Sequence, residues 1–160
     1  VSKLNAISTL HSNDAGSDTA GKYVGAGLVT RQPCEGFAMI CHGALSRHPN
    51  LRLASIESGA EWVAPLLKKL KKAYAQQPWA FDADPAEQFR NQVWVAPFYE
   101  DDIRGLADQI GVDRILFGSD YPHAEGLADP VAFVADLKGF TPAEIDQIMV
   151  TNARQLIGIA

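Results

Sequence analysis

Short apolar runs alternate along this chain with longer stretches in which apolar residues recur every three or four positions. The runs are Asn5-Ala6-Ile7-Ser8-Thr9-Leu10, Leu51-Arg52-Leu53-Ala54-Ser55-Ile56, Val93-Trp94-Val95-Ala96 and Ile115-Leu116-Phe117. Each is bounded by turn residues, the signature of a buried strand. Between them lie helical patterns. Phe37, Ile40, Cys41, Ala44 and Leu45 share one face of a helix expected over 35–48 and stopped by Pro49-Asn50. Trp62, Leu66, Leu70 and Ala73 stripe a helix over 60–74, with Pro65 near its first turn, where proline is tolerated. Acids at 100–102 open a helix on Ile103, Leu106, Ala107 and Ile110, which Gly111 ends. Asp129-Pro130 reads as an N-cap and first-turn proline opening a helix to about Lys138. Thr141-Pro142-Ala143-Glu144 has capping-box spacing and opens another, and 151–157 closes the chain as a short helix. Residues 77–90, with Pro78 and Pro85, read as an irregular connection, and 12–36 as a long loop rich in Gly, Ser and Asp.

Strand-helix alternation implies parallel strands joined by right-handed crossovers, an α/β fold. An open doubly wound sheet and part of a (β/α)₈ TIM barrel both fit. A full barrel takes about 250 residues, so four strands in residues 1–160 amount to its C-terminal half, with 12–36 on the active-site face. Half a barrel has two open sheet edges and an apolar interior, so it is expected to self-associate as a homo-oligomer or to pair with an N-terminal half.

Composition removes several functions. The net charge of −5 argues against nucleic acid as a partner. No apolar stretch approaches the roughly 20 residues of a membrane span, and the start does not resemble a signal peptide. Lys68, Lys69, Lys71 and Lys72 read as a solvated helix face in an acidic chain. Cys34 and Cys41 have no CxxC spacing and form no disulfide framework, which points to a reducing, cytoplasmic setting. Gly25-Ala26-Gly27 lacks the third glycine and the Lys-Ser/Thr of a phosphate loop.

The candidate chemistry sits at strand ends, where α/β folds bind ligands. Asp120 follows the fourth run in Gly118-Ser119-Asp120-Tyr121-Pro122-His123; its bland alternative is a helix cap. His11 follows the first run and Glu57 the second, while Pro97-Phe98 follows the third. His42 and His48 read as packing or capping residues.

The segment 115–123 resembles the last-strand motif of the amidohydrolase-related proteins, metal-dependent (β/α)₈ hydrolases and decarboxylases that include aminocarboxymuconate-semialdehyde decarboxylase. His48-Pro49-Asn50-Leu51-Arg52-Leu53-Ala54, Trp94-Val95-Ala96-Pro97-Phe98 and Asn152-Ala153-Arg154-Gln155-Leu156 resemble further segments of the family in the same order. The resemblance implies that Asp120 ligates a divalent metal, with zinc the expected ion, and serves as the acid/base. It implies His11 as a second ligand, and His123, Trp94 and Phe98 as residues facing a small-molecule substrate. Glu57 stands where many relatives carry histidine; a carboxylate there can ligate or orient a neighbour. The family's His-x-His pair does not occur in this sequence, whose four histidines are His11, His42, His48 and His123. A catalytic zinc takes three protein ligands, so the site implied for this chain alone is incomplete. The function implied is a metal-dependent hydrolase acting on a small carbonyl or carboxylate compound. Non-oxidative decarboxylation, a non-catalytic self-associating half-barrel and an open α/β domain of merely local similarity are the alternatives.

Overall fold

The computed structural model describes residues 7–10, 38–124 and 126–159. Its centre is a parallel sheet in the order β1 (Ile7–Leu10), β2 (Arg52–Ser55), β3 (Val93–Val95). Ile7 pairs with Arg52 and Leu10 with Ser55, and then Leu53 pairs with Val93 and Ser55 with Val95. A parallel bridge from Val95 to Ile115, with Leu116 N–H donating to the Val95 carbonyl at 2.8 Å, adds the fourth extended segment beside β3. All four sequence runs therefore lie side by side, parallel and in chain order.

Side chains alternate across the sheet as the pleat requires. Leu53, Val93, Val95 and Ile115 join the large apolar cluster, with Leu66 and Leu70, Phe89, Leu106 and Ile110 from the helices. Ala54, Trp94, Ala96 and Leu116 turn to the opposite face and pack with Leu156, Ile56 lying against them half-buried. Val93, Val95, Ile115 and Leu116 are buried, as the apolar runs predict, while Ile56 and Phe117 are only partly so.

The helices are α1 (Ala44–Arg47), α2 (Val63–Gln76), α3 (Pro85–Gln92), α4 (Ile103–Ile110), α5 (Pro142–Asp146) and α6 (Asn152–Ile157). A π turn, Gln147–Thr151, joins the last two. Three expectations are corrected. The helix predicted over 35–48 is interrupted: 38–41 is helical, but Gly43 adopts φ 68° and α1 starts afresh after it; positions 35–37 lie outside the described residues. The "irregular" 77–90 contains α3, capped by Asp84, whose Oδ1 accepts from Ala86 N–H at 2.8 Å, with Pro85 in the first turn. The Asp129-Pro130 pair, although Asp129 caps in the same way, opens a 3₁₀ run, Pro130–Asp136, that contributes Phe133 to the core. Cap chemistry sets where a helical turn starts; which ladder follows depends on packing.

At the amino ends of the strands the polar groups hold main chain. Asn152, fully buried, donates from Nδ2 to the carbonyls of Val112 and Ile115, each at 2.7 Å, and so ties α6 to the root of the fourth extended segment. Arg52 donates to the carbonyls of Gln155 and Leu156 at 2.5 and 2.8 Å, satisfying the last turn of α6. The Arg114 guanidinium lies 4.5 Å from the centre of the Trp94 ring, a cation–π contact, and pairs with Asp113.

Candidate metal centre

The carboxyl ends of the strands carry a different population. β2 runs out into Ile56-Glu57, and the fourth extended segment into Gly118-Ser119-Asp120. Parallel strands on either side of β3 thus lift both carboxylates to one rim, and the turn after Asp120 brings His123 back towards them. His123 N–H donates to the Asp120 carbonyl at 2.9 Å, Gly126 N–H to the His123 carbonyl at 3.0 Å and Leu127 N–H to the Ser119 carbonyl at 2.8 Å. A Cβ on Gly126 would lie 2.3 Å from the Asp120 carbonyl oxygen, so only glycine lets the loop close this tightly. One ligand atom from each of Glu57, Asp120 and His123 falls within 4.8 Å of the others.

Both carboxylate residues are held in the left-handed region, Glu57 at φ 57° and Asp120 at φ 56°, and they are the only non-glycine residues so held among the described residues. Such backbone costs on the order of 1 kcal/mol or more per residue and persists where surroundings over-determine it, commonly at functional sites. No helix follows Asp120: residues 121–124 form a turn, and Asp120 is therefore not a helix cap. Glu57 and Asp120 are partly buried and His123 is exposed.

The donor set fits a divalent cation. Two carboxylate oxygens and an imidazole nitrogen suit ions from magnesium and manganese to zinc. Ligands on one ion at about 2.0–2.2 Å stand roughly 3–4 Å apart, so small side-chain rotations bring the three atoms into a shared sphere. Two carboxylates drawn this close repel each other, and a cation between them removes that cost.

The other expected site residues are distributed as follows. Phe98 stands on the same rim, 38% exposed, with its ring against Gly59; a Cβ on Gly59 would be 2.8 Å from the ring. Trp94 is buried on the sheet face that packs against Leu156, beneath Arg114 and level with Ala54, three residues before Glu57, so its ring is not gathered with Glu57, Asp120 and His123. His11 and the loop 12–36 lie outside the described residues. The sequence reading misses Asp101, which it uses only as an acid opening a helix. Asp102 does that work, accepting from Gly105 N–H at 2.8 Å. Asp101 instead accepts from Ala60 N–H and Phe98 N–H, each at 2.8 Å. A doubled acid where one N-cap suffices is the signal that was available.

The sequence profile of the amidohydrolase family matches residues 38–159. The chain belongs to the amidohydrolase family. Among solved structures it is similar to an amidohydrolase of Mycobacterium avium subsp. paratuberculosis K-10, with 44% identity and a TM-score of 0.80 over 98% of this chain and 42% of that one. It shares its fold with 5-carboxyvanillate decarboxylase of Sphingomonas paucimobilis, at 18% identity and TM-score 0.67, over 81% of this chain and 40% of that one. It also shares its fold with a dihydroxybenzoic acid decarboxylase of Polaromonas sp. JS666, solved with bound manganese and 2-nitroresorcinol, at 16% identity and TM-score 0.69, over 97% of this chain and 50% of that one. No curated protein matches. This amidohydrolase chain spans half or less of the length of each of these relatives. Among the described residues no helix is long and apolar enough to cross a membrane.

Proposed function

We propose that this chain forms the C-terminal half of a (β/α)₈ barrel and contributes Glu57, Asp120 and His123 to a divalent-metal site that cleaves a small carbonyl or carboxylate compound. The convergence of those three ligand atoms within 4.8 Å at the carboxyl ends of parallel strands carries the reading. A bound divalent ion supplies polarisation of a substrate oxygen and lowers the pKa of water towards about 7. Asp120 accepts the proton of the attacking water and returns it to the leaving group. Glu57 and His123 hold the ion's position, and Phe98, exposed on the rim, offers an apolar wall to the substrate. His11, the residue that follows β1 in sequence, is kept as a candidate further ligand.

Hydrolysis is the first reading, in line with the name of the 44%-identical relative. Decarboxylation is the second: the same Asp120 can hand a proton to the carbon that loses CO₂, and the neighbours that share the fold at lower identity are named as decarboxylases. Isotopes separate them. The full chain, with the N-terminal half of the barrel present, is loaded in turn with Mn²⁺ and Zn²⁺ and assayed on a panel of amides, lactones and hydroxybenzoates in H₂¹⁸O and in D₂O. Hydrolysis places ¹⁸O in the product; decarboxylation releases CO₂ and places deuterium on the product carbon. Absence of both, together with absence of any Mn²⁺ binding, removes the metal-enzyme reading and leaves a binding module.

A further inference from the structure

Glu57 does not sit on a strand. It starts a tight loop, Glu57-Ser58-Gly59-Ala60, that leads from β2 into α2, with φ 57° at Glu57 and φ 59° at Gly59. A loop with this backbone needs external restraint to hold one carboxylate in place. Three contacts supply it. Trp62 Nε1–H donates to the Gly59 carbonyl at 2.9 Å. The Phe98 ring closes over Gly59. Asp101 Oδ2 accepts both Ala60 N–H and Phe98 N–H at 2.8 Å, so a single oxygen joins the loop after β2 to the loop after β3. The first two contacts fix the loop's shape. The Asp101 oxygen ties the loop to the neighbouring rim loop by a bond to each.

We propose that Asp101 is a positioning residue for Glu57: its carboxylate clasps the loops that follow β2 and β3, and thereby sets where the Glu57 ligand atom stands relative to Asp120. This rests on the metal-site reading above. The clasp has a chemical signature in keeping with it. The Asp101 carboxyl is raised above the ordinary carboxylate range because burial disfavours its charge, and the two main-chain N–H donors offset this only in part. A side chain kept half-buried at that cost is held by what it bonds.

The test is Mn²⁺ affinity, read by the loss of the free-ion EPR signal on titration into the full chain. Asp101→Ala is expected to weaken binding about 10-fold or more, within the range for residues that orient metal ligands. Asp101→Asn keeps an oxygen acceptor at the same place and is expected to restore affinity to within about 2-fold of wild type. Asp101→Glu moves the oxygen outward by about one bond length and is expected to weaken binding; it carries the comparison with Asp101→Asn should the alanine variant fail to fold. Coupling distinguishes positioning from general destabilisation. In an Asp101→Ala, Glu57→Gln double variant the loss should equal that of Glu57→Gln alone, because a displaced ligand cannot be lost twice. Fully additive losses, or unchanged affinity in both Asp101→Ala and Asp101→Glu, overturn the role of Asp101 while leaving the metal site standing. No Mn²⁺ affinity in the wild type overturns the site and the clasp together.

Discussion

The two ends of this sheet use polar residues in opposite ways. At the amino ends Arg52 and Asn152 spend their donors on main-chain carbonyls of α6 and of the root of the fourth extended segment. The Arg114 guanidinium lies over the Trp94 ring. Among the described residues no non-glycine residue there holds a positive φ. At the carboxyl ends Glu57 and Asp120 hold a positive φ and bring like charges together, with His123 closing the group. The first arrangement holds main-chain carbonyls, although Asn152 Oδ1, Arg114 Nε and Trp94 Nε1 have no hydrogen-bond partner there. The second gathers three groups that can ligate a cation. On the proposed reading, one sheet separates stability and function by pole, the division seen in barrels whose active sites occupy the carboxyl face.

The strongest way to break the comparison is at Asp120. Asp120→Asn keeps the shape and tolerates the left-handed backbone, but loses the charge and the proton-accepting capacity. Turnover of the full chain is expected to fall by about 10²–10⁴-fold, with the thermal midpoint within about 2 °C of wild type. Turnover above a tenth of the wild-type value would return Asp120 to a structural role and abolish the contrast between the poles.

Asn152→Ala should give the reverse pattern. It removes two hydrogen bonds from a fully buried side chain and leaves the Val112 and Ile115 carbonyls without those donors. Unsatisfied buried acceptors cost roughly 1–3 kcal/mol each, partly offset by relaxation, so the expected loss is about 2–4 kcal/mol. Urea unfolding measures it. Mn²⁺ affinity at temperatures where the variant is folded should stay within about 2-fold. A stability loss below about 0.5 kcal/mol would mean that this pole is not held by side-chain–to–backbone bonds.

The sequence reveals the strands and the rim because both are written in local pattern. Apolar runs bounded by turns mark β2, β3 and Ile115–Phe117, and the first charged residues after β2 and Ile115–Phe117 are Glu57 and Asp120. The convergence of Glu57 with His123 is less legible, since it depends on a turn that Gly126 permits. What stays hidden is long-range. Asp101 reads as one of two acids before a helix, and nothing near it in sequence announces bonds to Ala60, forty-one positions away. Asn152 lies in a segment legible as a closing helix and by its likeness to the family, but its two carbonyl partners lie 37 and 40 positions upstream. α3 was hidden for another reason: its cap was written plainly in Asp84-Pro85, but Phe89 alone among its interior positions is strongly apolar, and Ala86, Gln92 and Pro85 complete its buried face.

Replacing Glu57 sharpens the claim that strain belongs to the functional pole. Glu57→Ala and Glu57→Gly both remove the ligand atom and are expected to weaken Mn²⁺ binding about 10-fold or more. They differ in backbone alone. At φ 57° alanine keeps the steric cost and glycine does not, although glycine gives some back through the freedom of the unfolded chain. The glycine variant is therefore expected to be more stable than the alanine variant by about 1 kcal/mol in urea. Equal stabilities would show that the loop, not the residue, fixes this conformation at no cost.

The smallest effect concerns pH, where a cap far from the rim and the clasp on it should respond with opposite signs. Glu144 completes the capping box of α5: Thr141 N–H donates to its Oε2 at 2.7 Å and the Thr141 hydroxyl at 2.9 Å, with Arg104 at 3.7 Å. These contacts hold its carboxyl below the ordinary range, the Thr141 N–H contributing most. A depressed folded-state value means stability that is present above the unfolded-state pKa of about 4.3 and is lost as pH falls through the folded value. Asp101 is the converse. Burial raises its folded-state value, so its charged form disfavours folding at neutral pH and wild type recovers that loss as pH falls through the raised value. Urea unfolding of wild type, Glu144→Gln and Asp101→Asn between pH 3 and pH 7 reads both. The wild-type advantage over Glu144→Gln should shrink towards acid, because glutamine cannot titrate. Relative to Asp101→Asn, wild type should instead gain towards acid. If both differences moved in the same direction, burial would not be what sets Asp101 apart from an exposed capping carboxylate, and its place in the clasp would have to be explained by the hydrogen bonds alone.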